Sequence, residues 1–175
     1  DYDEKKVRAI RTKFRDSGRR SAPWKPTSSV VPGRPQDGQD GNRINRWLME
    51  KNHKFYADEK TATLVEIKYY LQALSMNNAP DIGRHGIKQN FHPWLVESPV
   101  IPGNYRDPIQ LEVMDFDEFL SNPRNFQSGH INPLDRGGKH HPSNTFLMYF
   151  RSNQIQGNLS VEELIAFMEK VVRKH

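Results

Sequence analysis

Apolar residues recur at helical spacing in four stretches of the chain and alternate at strand spacing in one other. Leu64, Ile67, Leu71 and Leu74 fall on one side of a helix that Asp58 or Thr63 can cap. Ile44, Trp47 and Leu48 predict a shorter helix before it, joined through residues 53–57, and two such helices in succession suit a helix-turn-helix unit. Val7, Ile10 and Phe14 give a narrow stripe on a helix near the start. The last helix has the strongest signal. Ser160-Val161-Glu162-Glu163 forms a capping box, and Val161, Leu164, Ile165, Phe167, Met168, Val171 and Val172 share one broad face, which predicts a core-packed helix. Strand-like alternation runs through Ile109, Leu111 and Val113, and residues 126–131 and 145–150 read as two further strand-like pieces. Asp115 or Asp117 can cap a short helix through Leu120.

Prolines and glycines divide these elements. Pro23, Pro26, Pro32 and Pro35, with Gly33, Gly38 and Gly41, exclude helix or central strand over residues 21–42 and make that stretch a linker or wrapping loop, in which Trp24 is expected to pack. Residues 77–108 carry Pro80, Pro93, Pro99, Pro102 and Pro108 and read as irregular, a length that ordinarily binds something or wraps a core. The chain therefore divides into a helical arm at 1–20, the loop at 21–42, a helical and irregular region at 43–123, and a strand–loop–strand–helix unit at 124–175. The expected class is α+β, with a small hairpin flanked by helices.

Composition narrows the functional classes. The 175 residues hold 26 Lys and Arg against 21 Asp and Glu, and no cysteine, which removes disulfides, thiolate-bound zinc and a cysteine nucleophile together. No apolar run approaches the roughly 20 residues of a membrane span, and no signal peptide is visible, so a cytoplasmic protein without a membrane partner is expected. The excess charge is uneven. Eight of the first twenty residues are Lys or Arg against four acids, which suits either a solvated helix or an arm lying along phosphates.

The chemistry-bearing stretch is Ser128-Gly129-His130-Ile131-Asn132-Pro133, then Gly137-Gly138, then His140-His141-Pro142-Ser143-Asn144, and after a second strand Arg151-Ser152-Asn153-Gln154-Ile155-Gln156-Gly157. It places a His at a strand end, a loop with paired glycines, and two Asn residues beyond it, an arrangement able to set a base, a bracing amide and a metal ligand around one phosphate. The paired glycines read as a source of flexibility, and His140-His141 as loop residues with no assigned role.

This stretch resembles the HNH family of nucleases over about residues 124–158. His130 and Pro133 match the family's first block, Gly137-Gly138 its loop, Asn144 its central Asn, Asn153 its third position and Gly157 its closing Gly. The resemblance implies a ββα-metal unit in which His130 takes a proton from the attacking water, Asn144 braces the loop and orients His130, and Asn153 ligates one Mg²⁺ or Mn²⁺. It implies products with a 5′ phosphate and a 3′ hydroxyl. Three positions depart from the family. Gly129 stands where a carboxylate is common, with Asp135 the nearest acid that might substitute. Tyr149 and Ser152 occupy the positions of the first two knuckle cysteines, so no zinc–cysteine site is expected, and Gln156 replaces a Lys.

The implied activity is endonucleolytic cleavage of double-stranded DNA, of the site-specific, restriction type, with a homodimer matching a palindromic target. Arg136, Arg151 and Gln156 are candidate DNA contacts near the unit. Arg43, Asn45, Arg46, Gln89 and Asn90 are candidates for contacts upstream, where side chains reading a major groove are needed. The alternatives are a nonspecific or toxin-type nuclease, and a relic that binds nucleic acid without cutting it.

Overall fold

The computed structural model describes residues 46–81, 95–96, 98–122 and 125–175, together with Glu4, Lys5 and Arg8, which are helical and exposed. The remainder of the arm, the linker with Trp24, and Arg43, Asn45, Gln89 and Asn90 lie outside the described residues.

The longest helix, α1 (Glu59–Leu74), begins where the Asp58 carboxylate accepts from the Thr61 N–H at 2.9 Å and the Thr61 hydroxyl at 2.6 Å. These bonds hold the Asp58 carboxyl below its ordinary range. A short helix, α2 (Phe116–Ser121), is capped by Asp115. Burial pushes the Asp115 carboxyl up, but hydrogen bonds from the Glu118 N–H and the Asn78 amide prevail and hold it low. Next come β1 (Phe126–His130), β2 (Thr145–Tyr149), α3 (Phe150–Gln156) and α4 (Val161–Val172). The two strands form an antiparallel hairpin in which Phe126 faces Tyr149 and His130 faces Thr145.

One apolar cluster joins the two halves of the chain. Val65, Tyr69, Ala73 and Leu74 of α1 pack with Met114, Phe116 and Phe119 and with Phe126 and Leu147 of the hairpin. Phe119 meets Phe126 edge-on at 5.3 Å, and Tyr149 lies 5.2 Å from Phe126 on its other side. The outer edge of β2 is sealed by side chains. The Gln72 Oε1 accepts from the Leu147 N–H at 3.0 Å, and the Tyr105 hydroxyl donates to the Leu147 carbonyl at 2.6 Å. That saturates backbone groups which an open edge would offer to another strand.

Three expectations change here. The segment of Ile109, Leu111 and Val113 is a loop. Leu111 turns left-handed at φ 60°, exposed, and only Val113 bridges back to Arg106. The expected helix-turn-helix reduces, among the described residues, to a single 3-10 turn (Arg46–Leu48) before α1, and α1 is buried in the core, so its side chains are not free to read a groove. The last helix forms with its capping box, yet only Leu164 on it is buried. No helix among the described residues is long and apolar enough to cross a membrane.

Candidate functional site

The hairpin's open end carries His130, the last residue of β1. Its ring is half-buried, and burial, with the Arg46 guanidinium nearby, lowers its pKa to about 4, so the imidazole is neutral at neutral pH. His130 Nε2 lies 3.3 Å from Nδ1 of His140, whose side chain is 3% exposed. The two rings are 5.6 Å apart and tilted by 57°. Sequence reasoning left His140 aside. Its only signal was position, ten residues on from His130 at the close of the intervening loop.

Arg46, from the turn before α1, is buried. Its Nη1 donates to the Phe55 carbonyl at 3.0 Å, and its guanidinium lies 5.8 Å from the centre of the Phe55 ring. Its charge therefore acts on His130 from within the fold and not from the surface.

The loop between the strands is stiff. Gly137 caps the Leu134–Arg136 turn with φ 84°, a left-handed conformation that suits glycine. A Cβ on Gly138 would strike the Asn132 carbonyl oxygen. The paired glycines thus serve two distinct geometric needs rather than flexibility. Asn144 ties the loop together. Its Oδ1 accepts from the Asn132 N–H at 2.8 Å, and its Nδ2 donates to the carbonyls of Asn132 at 3.0 Å and Lys139 at 2.9 Å. It makes no hydrogen bond to His130, so any effect it has on that ring passes through the loop backbone.

Helix α3 runs alongside β1. Asn153, half-buried, donates through Nδ2 to Gln127 Oε1 at 2.6 Å, which orients its amide and leaves Oδ1 as a hard, neutral oxygen donor. Gln156 is 2% exposed, and its Nε2 reaches the carbonyls of His130 at 2.7 Å, Ile131 at 3.1 Å and Leu159 at 3.1 Å. It grips the backbone of the site from inside and is not a surface contact.

Strand alternation puts Gln127 and Gly129 on the side of α3 and His130 on the other side, at the end where the chain leaves the sheet. A Cβ on Gly129 would meet the end of the buried Met148 side chain, so a carboxylate at this position requires Met148 to move. Asp135 pairs with Lys54 at 2.5 Å. Among the described residues no group of three His, Asp or Glu side chains converges as a metal cluster. Of the predicted ligands, Asn153 Oδ1 is the neutral oxygen that could contribute to holding a hard divalent ion.

Tyr149 and Ser152, where no zinc–cysteine site is expected, are joined by a buried carboxylate. Asp107, fully buried, accepts from the Tyr149 N–H at 2.8 Å and from the Ser152 hydroxyl at 2.8 Å, and also from the N–H groups of Ile109 and Gln110. A carboxylate saturated by four donors links the hairpin's end, α3 and the preceding loop, a connection across 45 residues that no local pattern announces. Arg136 pairs with Glu163, which holds the Glu163 carboxyl low, and Arg151 is exposed on α3.

No protein-family model matches the sequence, and no curated protein matches it. The fold is similar to that of a solved structure described as a type II restriction endonuclease, with a TM-score of 0.61 over 97% of this chain and 78% of that one. The two chains are 17% identical, so the likeness is one of fold.

Proposed function

We propose that this chain is a metal-dependent endonuclease that hydrolyses DNA phosphodiester bonds, with residues 124–158 acting as an HNH-type ββα-metal unit. The observation that carries the reading is His130, an imidazole kept neutral at the hairpin's open end and held against the buried His140. The similarity in fold to a type II restriction endonuclease supports it and favours site-specific cutting.

In this reading His130 accepts a proton from the water that attacks phosphorus, which requires the neutral ring. An arriving phosphate offsets the Arg46 charge and so strengthens the base once substrate is bound. Asn144 and Gln156 keep the loop and the His130 backbone from shifting while the proton moves. Asn153 would hold one Mg²⁺ or Mn²⁺, which when bound supplies positive charge to a nonbridging phosphate oxygen and to the leaving 3′ oxygen. Products carry a 5′ phosphate and a 3′ hydroxyl. Arg136, Arg151 and the basic arm are the candidate phosphate contacts, with Arg43 for the upstream region. A homodimer would offer one site to each strand.

The test is supercoiled plasmid incubated with the chain in Mg²⁺, Mn²⁺ or EDTA, beside His130→Ala and Asn153→Ala. Discrete fragments that need metal and disappear in both variants are expected. A smear would replace site specificity with nonspecific cleavage. Intact plasmid in every metal, with retardation on a gel, would overturn the enzymatic reading in favour of a binding relic.

A further inference from the structure

Helix α1 carries polar side chains where a core-packed helix is ordinarily apolar. Lys68 and Gln72, one turn apart, and Ser75, the helix C-cap, are all buried. The three line a cavity of about 550 Å³, which also has Val96, Ile131 and Phe146 as apolar walls and the exposed Arg106 at its margin. Two of the helix side chains are committed to the fold. The Ser75 hydroxyl donates to the Leu71 carbonyl at 2.9 Å, and Lys68 Nζ donates to the Pro142 carbonyl at 2.6 Å while lying 3.6 Å from the centre of the Phe146 ring.

Gln72, 4% exposed, is only half used. Its Oε1 accepts from the Leu147 N–H, which fixes the orientation of the amide, and its Nε2 donates to no described residue. Buried amide donors ordinarily have a partner, so two hydrogens remain for whatever fills the cavity. Arg106 likewise commits Nη1 to the Leu111 carbonyl at 3.0 Å and leaves Nη2. Asp107 is also on the wall, but four donors already engage its carboxylate. The uncommitted groups of Gln72 and Arg106 are therefore donors, and the Lys68 ammonium adds positive charge beside them. The cavity reaches Ile131 and Ser143, the chain neighbours of His130 and Asn144.

We propose that this cavity binds a single nucleotide, with its phosphate on Arg106 and an acceptor edge of its base on Gln72 Nε2. The volume is that of a small-molecule site, far more than a bare phosphate fills, and the apolar walls suit the flat face of a base. Guanine, with two acceptors side by side, is favoured over adenine, whose matching edge carries a donor. The nucleotide comes either free from solution or turned out of a DNA strand. The choice of a nucleotide rests on the nuclease reading, whereas the cavity and its unfilled donor do not.

The test is equilibrium dialysis of the full chain, without metal, against deoxyguanosine monophosphate, deoxyadenosine monophosphate and inorganic phosphate. Gln72→Glu keeps an oxygen for the Leu147 N–H and turns the donor into an acceptor, and Arg106→Ala alters an exposed side chain. Circular dichroism checks both, and Arg106→Ala carries the comparison if Gln72→Glu does not fold. The guanine nucleotide is expected to bind more tightly than the adenine one, and each substitution to weaken it about tenfold. Because no cleavage is involved, a chain that leaves plasmid intact still reports on the cavity. Tighter binding of a duplex with one unpaired guanine than of the fully paired duplex, lost in Gln72→Glu, assigns the site to a nucleotide turned out of DNA. Equal binding of the two duplexes, with the free nucleotide bound, assigns it to the free nucleotide. Absence of nucleotide binding, inorganic phosphate bound as tightly as the nucleotide, or binding indifferent to the substitutions overturns the proposal.

Discussion

His130 Nε2 and His140 Nδ1 lie 3.3 Å apart, one ring half-buried at a strand end and the other enclosed beneath it. One of these nitrogens donates and the other accepts, so the enclosed His140 ring constrains the tautomer of His130. His140 is thus a positioning residue for the proposed base. His140→Ala is expected to slow single-turnover cleavage by about 10- to 100-fold, as loss of an orienting partner does. It should also raise the His130 pKa, because water enters the vacated space. An NMR titration reads that shift, which a purely structural role would leave unmoved.

The lowered pKa of His130 makes a signed prediction for pH. The unfolded chain protonates this ring near 6.5 and the native chain near 4, so the native state prefers the neutral form. The resulting stability is complete above pH 6.5 and is lost as pH falls through 4, amounting to about 3 kcal/mol. Cleavage should accordingly keep its neutral base well below pH 6.5. Arg46→Gln removes the neighbouring positive charge, so the His130 titration and the acid limb of kcat/KM are both expected to move upward.

Gln156, itself buried, offers two amide hydrogens to three carbonyls around His130. Gln156→Ala should cost about 1–3 kcal/mol by leaving these acceptors without a donor. Gln156→Glu should cost more, since a carboxylate turns acceptors against acceptors. Chemical denaturation of the three proteins measures the order. If Gln156 instead touches DNA, the loss will appear in binding with stability unchanged.

A larger residue at Gly129 meets the end of the Met148 side chain. Gly129→Asp alone is expected to lower the melting temperature. With Met148→Ala the same Asp gains room on the face that carries Asn153, and the double variant is expected to bind Mn²⁺ more tightly than the parent. Titration of the ion followed by its paramagnetic relaxation checks this without reference to cleavage.

Local features were legible in the sequence because short-range hydrogen bonds build them. The caps Asp58, Asp115 and Ser160 satisfy backbone donors within three residues, and the two strand-like pieces form the hairpin, whereas the alternating Ile109, Leu111 and Val113 lie in a loop. Other features depend on contacts between distant segments. Arg46 acts on His130 across 84 positions, and Asp107 reaches Ser152 across 45. A residue's type records that it is polar or charged, not which remote group it will meet once the core closes. The last helix makes the same point from the apolar side. Its periodicity sets one apolar face, but the tertiary structure buries only Leu164 on it and leaves the rest exposed, because periodicity specifies a face and packing alone decides what covers it.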